Sequence, residues 1–198
     1  MSTSKLAILS RYGPVSHIRF NQPESDNQLT VDMVWEIGQI CAKLNSDNKT
    51  QVVVVRGSEG SFCRGGDQVP DKHRTSTHLL NTYKAASYIG GLKVPTIASI
   101  NGNALNQGLE LALACDIRLA AEDVSLGFPC ISAGFMPWDG GTQRLPRIVG
   151  MNWAQDLLFT GRIISSNEAY NIGLINKVVS RAKLLQETQN IAELISQG

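Results

Sequence analysis

Glu110 stands where a carboxylate can move protons next to a developing anion. The segment from Ile97 to Asp116 reads as a short apolar strand, a turn carrying Gly102 and Gly108, and a strongly apolar helix with Glu110 in its first turn. Free backbone N–H groups at a helix start can hold negative charge as it develops. A carboxylate beside them can take or give a proton, so one turn supplies both an anion hole and an acid or base. The structural alternative is that an acidic residue here only complements the helix dipole.

Other chemistries are poorly provided for. Cys41, Cys63, Cys115 and Cys130 show no C-x-x-C spacing and read as reduced thiols of a cytosolic-type protein. His17, His73 and His78 do not join them at ligand spacing, so no metal site is expected. His73 and His78 lie in a polar stretch and are read as surface residues, and Tyr83 and Tyr88 as packing residues. A net charge of +1 without any basic run argues against a general nucleic-acid or anionic-membrane binder. No apolar stretch is long enough to span a bilayer, and Met1 to Lys5 lacks a signal-peptide apolar region, so a cytoplasmic location is expected.

The elements that must position Glu110 follow from hydrophobic period and turn chemistry. Leu6–Ser10 and Val15–Phe20 alternate around Gly13-Pro14 and predict a hairpin. Asn21–Gln28 reads as a loop. Thr30 is placed to cap a helix whose apolar face is Val31, Val34, Ile37, Cys41 and Leu44. Val52–Val55 is a β-branched run that predicts a strand buried on both faces, followed by a glycine-rich connection from Gly57 to Gly66. Thr75–Ile89 has weaker helical spacing, and Thr96–Ile100 is a second buried strand. Beyond the Glu110 helix, Ile117–Ala120, Val124–Phe128 and Leu174–Val179 predict strands. Gln143–Val149 (interrupted by Pro146), Trp153–Thr160 and Ala182–Ser196 predict helices, and Asn167 is placed to cap a turn over Glu168–Ile172. Strands alternating with helices in 198 residues, without repeats or linkers, predict one α/β domain over 1–198 with a mostly parallel sheet and helices outside.

Five blocks in order carry a resemblance. They are Arg19-Phe20-Asn21-Gln22-Pro23-Glu24; Ser61-Phe62-Cys63-Arg64-Gly65-Gly66-Asp67; the Glu110 segment; Gly140-Gly141-Thr142-Gln143-Arg144-Leu145-Pro146; and Gly161-Arg162-Ile163-Ile164 through Ala169 to Gly173-Leu174-Ile175. From about Val15 to Val179 the chain resembles the crotonase superfamily, also called the enoyl-CoA hydratase/isomerase family. The resemblance implies a crotonase-like ββα spiral. It also implies a thioester carbonyl held by two backbone N–H groups so that an enolate can form. At the matching positions these belong to Arg64 and Gln107, where the family more often has Ala or Gly. The Arg64 side chain either points outward or contacts a CoA phosphate.

Glu110 matches one of two hydratase glutamates. The second falls where this chain has Cys130, and a thiol is a poor substitute for a carboxylate in proton transfer. Trp138 and Asp139 stand where the family has small residues. Asp139 is the expected replacement carboxylate and partner of Glu110, or else it caps the Gly141–Leu145 helix. Trp138 offers a flat apolar wall or packs in the core. Asp67 is read first as a helix cap, and Phe62, Gly66, Asp67, Cys130 and Trp138 are the expected substrate-binding residues. The implied reaction is hydration of an unsaturated, cyclic or dienoyl acyl-CoA thioester. Isomerisation, C–C hydrolysis and thioester hydrolysis use the same hole, and a non-catalytic acyl-CoA-binding protein is a separate class. No metal or redox cofactor is implied, and CoA enters as part of the substrate. A homo-trimer or hexamer is implied, as is a set of C-terminal helices beyond the position of Gly198.

Overall fold

The computed structural model describes residues 5–58, 60–66 and 82–197. Two strands, β1 (Ala7–Tyr12) and β2 (Val15–Phe20), form the expected antiparallel hairpin around Gly13-Pro14. β3 (Val52–Arg56), β4 (Thr96–Ile100), β6 (Ile117–Ala121) and β9 (Lys177–Val179) then add in parallel, giving the order β1-β2-β3-β4-β6-β9. Val52 to Val55 and every residue of β4 are buried, so both faces of the sheet centre are covered. Burying each such valine side chain contributes about 1.5–3 kcal/mol. A small second sheet joins β5 (Ala104–Leu105), β7 (Ser125–Gly127) and β8 (Ile163–Ser165).

The helices build the covering layers. α1 (Val31–Asn45) packs on α2 (Ala85–Gly90), α2 on α3 (Gln107–Ala114), α3 on α4 (Gly141–Val149), and α4 on α5 (Met151–Thr160). α6 (Ser166–Asn171) follows β8, and α7 (Arg181–Ser196) lies across β2, β3, β4 and β6. Thr30 caps α1 as expected, its side chain accepting from the Met33 N–H.

Local expectations needed correction in three places. Val31, the first helical residue, is 49 % exposed, and Met33 takes its place on the buried face of α1. Pro146 does not interrupt α4, which runs from Gly141 to Val149. Proline is tolerated there because only one carbonyl near the helix start loses its donor. Ser165, not Asn167, caps α6, accepting from the Glu168 N–H at 3.2 Å. Of the expected Thr75–Ile89 helix, the part before Thr82 lies outside the described residues, as do Asp67, His73 and His78.

Candidate active site

Two backbone segments meet beyond the ends of β3 and β4. The Cys63 N–H donates to Asn103 O at 3.1 Å and the Leu105 N–H to Cys63 O at 3.0 Å, so the loop after β3 is bridged in parallel to β5 at Cys63 and Ala104. Glycine permits this approach. A Cβ on Gly108 would sit 1.9 Å from Cys63 O, and Gly65 holds φ +88 with space for no side chain against Gln107. Asn106 also has positive φ (54), a conformation that stores strain in a non-glycine residue. Its side chain holds the turn: Oδ1 accepts from the Cys130 N–H at 2.9 Å and Nδ2 donates to Arg64 O at 3.4 Å.

The N–H groups that face this turn differ from expectation. The Arg64 N–H donates to Asp26 O at 3.1 Å and is therefore engaged away from the Gln107 turn. The segment from Asn21 to Leu29 imposes this, since it also supplies the Leu29 N–H to Gly65 O and buried Asn27 to Ser61 O. Two residues on, the Gly66 N–H points at the turn and donates to Gln107 Oε1 at 2.9 Å. Gln107 opens α3 and its N–H has no intrahelical acceptor. The Arg64 side chain is exposed and pairs with Gln28.

Glu110 is 0 % exposed one turn into α3. Its Oε1 accepts from the Asp139 N–H at 2.8 Å and the Gly141 N–H at 2.7 Å. Its Oε2 is buried with no partner among the described residues. Burial pushes the carboxyl up to about 7, the Gly141 N–H opposing and the Asp139 charge adding to the rise. A carboxyl near 7 is matched to both halves of a proton transfer at neutral pH.

The Asp139 side chain lies elsewhere than expected. Its Oδ2 accepts from the Ala86 N–H at 2.6 Å, and its Oδ1 from the Ser87 N–H at 3.1 Å and Ser87 Oγ at 2.6 Å. It therefore caps α2, not the helix that begins at Gly141. Its main chain, not its carboxylate, touches Glu110. Burial raises its pKa while the Ser87 and Ala86 hydrogen bonds lower it. Arg144 Nη1 donates to Asp139 O at 2.7 Å and fixes the peptide that serves Glu110. Nothing in the sequence pattern pointed to Ser87 or Arg144 as supports.

The remaining expected residues divide. The Phe62 side chain is fully buried against Phe20, ring centroids 5.7 Å apart, and packs beneath the loop. Cys130 is buried near Glu110, and burial together with that charge pushes its thiol up to about 11, which keeps it protonated at neutral pH. Trp138 is half-buried edge-on to Phe135 at 6.4 Å, with its Nε1–H buried and unpartnered among the described residues. No group of His, Cys, Asp and Glu suited to a metal occurs among the described residues.

Comparison with known proteins agrees with this geometry. A family model described as enoyl-CoA hydratase/isomerase matches residues 10–198. The chain is 36 % identical over 197 residues to a crotonyl-CoA hydratase of Syntrophomonas wolfei, covering 96 % of this chain and 76 % of that protein. It is 36 % identical over 199 residues to a short-chain-enoyl-CoA hydratase of Clostridium acetobutylicum, covering 95 % and 74 %. Among solved structures, an enoyl-CoA hydratase from Bacillus anthracis gives a TM-score of 0.92 at 34 % identity, covering 98 % of this chain and 77 % of that one. Pseudomonas aeruginosa DspI gives 0.92 at 29 % identity, covering 99 % and 76 %. With the motif order, the α/β fold and the buried carboxylate beside the two apposed loops all in place, the chain belongs to the enoyl-CoA hydratase/isomerase family of the crotonase superfamily.

Proposed function

We propose that this protein adds water to a 2-enoyl-CoA thioester, with Glu110 as its proton-carrying carboxylate. The Gly66 and Gln107 N–H groups are the hole for the thioester oxygen, in place of the Arg64 and Gln107 pair that the motif suggested. Ionised Glu110 takes a proton from water as its oxygen bonds to C3, and charge moves through C2 to the thioester oxygen. The same carboxyl then returns the proton to C2, so one water is added and Glu110 is regenerated. Donors aimed at such an oxygen contribute a few kcal/mol to the transition state.

The observation that carries the reading is Glu110 itself: buried, pushed up to about 7, with Oε1 anchored and Oε2 unpartnered among the described residues. Asp139 acts as a positioning residue, since its carboxylate is engaged by Ala86 and Ser87. Isomerisation by the same single carboxyl is the second reading. It needs only a proton shifted between two carbons, which one carboxyl can carry without a second base, and the Cys130 thiol, pushed up to about 11 by burial, supplies none at neutral pH. Incubation with linear, branched and cyclic unsaturated CoA thioesters, read by chromatography with mass detection, tests both. A product heavier by one water supports hydration, an isomer of unchanged mass supports the second reading, and free acid plus CoA refutes both.

Assembly as a trimer or hexamer belongs to the same proposal, supported by the exposed Met151, Trp153 and Phe159 of α5. Light scattering on the purified protein tests it. A cytoplasmic location is likewise proposed. No helix among the described residues is long and apolar enough to cross a membrane.

A further inference from the structure

We propose that the Gln107 side chain is a displaceable internal ligand of the anion hole, and that it sets how tightly a thioester binds. The inference rests on the reading of Gly66 and Gln107 as the hole. Gln107 Oε1 lies 2.9 Å from the Gly66 nitrogen, at hydrogen-bond geometry. It is a carbonyl oxygen, the same chemical group that a thioester would present to that donor. A Cβ built on Gly65 would fall 2.6 Å from this Oε1 and 2.9 Å from the Gln107 nitrogen, so the glycine leaves room for both the amide oxygen and the Gln107 main chain against the loop. Gln107 is only 3 % exposed, so the contact is part of the packed loop interface and not a surface side chain met by chance.

One N–H cannot serve two carbonyl oxygens at full strength. A thioester oxygen that takes the Gly66 N–H must first turn the Gln107 amide away. A weak ligand carbonyl fails to do so, and one backed by CoA binding elsewhere succeeds. The hole is thereby kept from standing empty or accepting adventitious carbonyls. A net hydrogen bond of ordinary strength corresponds to a binding penalty of about three- to tenfold.

Two readouts test this on the whole protein. Amide hydrogen exchange at Gly66 without ligand reads the internal contact, and binding of butyryl-CoA, which has no double bond to react, reads its displacement. Gln107→Ala is expected to expose the Gly66 N–H to faster exchange and to tighten butyryl-CoA binding about three- to tenfold. Gln107→Glu puts a stronger acceptor in the hole and is expected to weaken binding below wild type. Unchanged Gly66 exchange in Gln107→Ala would overturn the internal contact. Faster exchange with equal or weaker thioester binding in Gln107→Ala would overturn the displacement. Failure of wild type and both variants to bind any CoA thioester would defeat the proposed function, and the displacement with it, while the exchange result still decides the contact.

Discussion

The two ends of α3 hold buried polar groups under opposite rules. At the C-terminal end, Arg118 is buried and its donors reach Leu174 O at 2.9 Å, Cys115 O at 2.6 Å, Ala112 O at 3.4 Å and Asp116 O at 3.4 Å. Asp116 beside it accepts from the Thr96 N–H at 2.8 Å and Thr96 Oγ1 at 2.7 Å. This cluster is closed: the helix-end carbonyls and the buried cation satisfy one another. At the N-terminal end the arrangement stays open, with Glu110 Oε2 unpartnered among the described residues and Gln107 without an intrahelical acceptor for its N–H. An unmade hydrogen bond on a buried group costs about 1–3 kcal/mol, so an open end is maintained against stability. Closed clusters hold the fold, and the open one is where chemistry has room to occur.

The contrast breaks most visibly at Glu110. Glu110→Gln keeps the acceptor for the Asp139 and Gly141 N–H groups but cannot carry the proton. Turnover of crotonyl-CoA is expected to fall about 10²- to 10⁴-fold while butyryl-CoA binding stays. Steady-state rates with a parallel binding titration check it.

At the other end the effect moves to stability. Arg118→Met strips partners from buried carbonyls and is expected to cost about 3 kcal/mol or more in urea unfolding, with turnover per folded molecule retained. Equal loss of turnover in the folded variant would erase the distinction between the two ends.

The next effect is a gain. Folding raises Glu110 from an ordinary 4.5 to about 7, so between those values the native state binds more protons than the unfolded chain. Its contribution to stability is complete below about pH 4.5 and is lost as pH rises through 7. Glu110→Gln is expected to be more stable than wild type by about 3 kcal/mol at pH 8, the gap closing toward pH 4.5. Denaturant midpoints at the two pH values measure it.

The smallest expected effect is at Asp139, where Asp139→Asn weakens the cap of α2 by about 1–2 kcal/mol. Turnover is expected to stay within about tenfold of wild type. Removing the neighbouring charge that raises Glu110 is expected to move the rising limb of the pH–rate profile to lower pH. Loss of turnover as complete as in Glu110→Gln would instead make Asp139 a proton carrier.

The scaffold was readable because its signals are local. The Val52–Val55 run, the Thr30 cap and the apolar Thr96–Ile100 strand each matched their element, and period-2 alternation gave the hairpin. Around the site, local signals fell short where the deciding contact came from a distant segment. The Arg64 N–H is claimed by Asp26, 38 positions earlier, and the Asp139 carboxylate by Ala86 and Ser87 across more than 50. A motif places a loop, but which N–H faces the neighbouring turn depends on the other strand of contacts. Gly65-Gly66 opposite Asn106-Gln107-Gly108 was the available hint, because paired glycines mark a close backbone approach.

The measurement that bears most directly on Glu110 as the proton carrier is the pH dependence of kcat/KM for crotonyl-CoA hydration, taken from pH 5 to 9. The expected result is a rate that climbs with pH and levels off above a single ionisation near 7, the value to which burial pushes Glu110. A profile flat across that range, or one rising only near the ordinary carboxylate value, would contradict it.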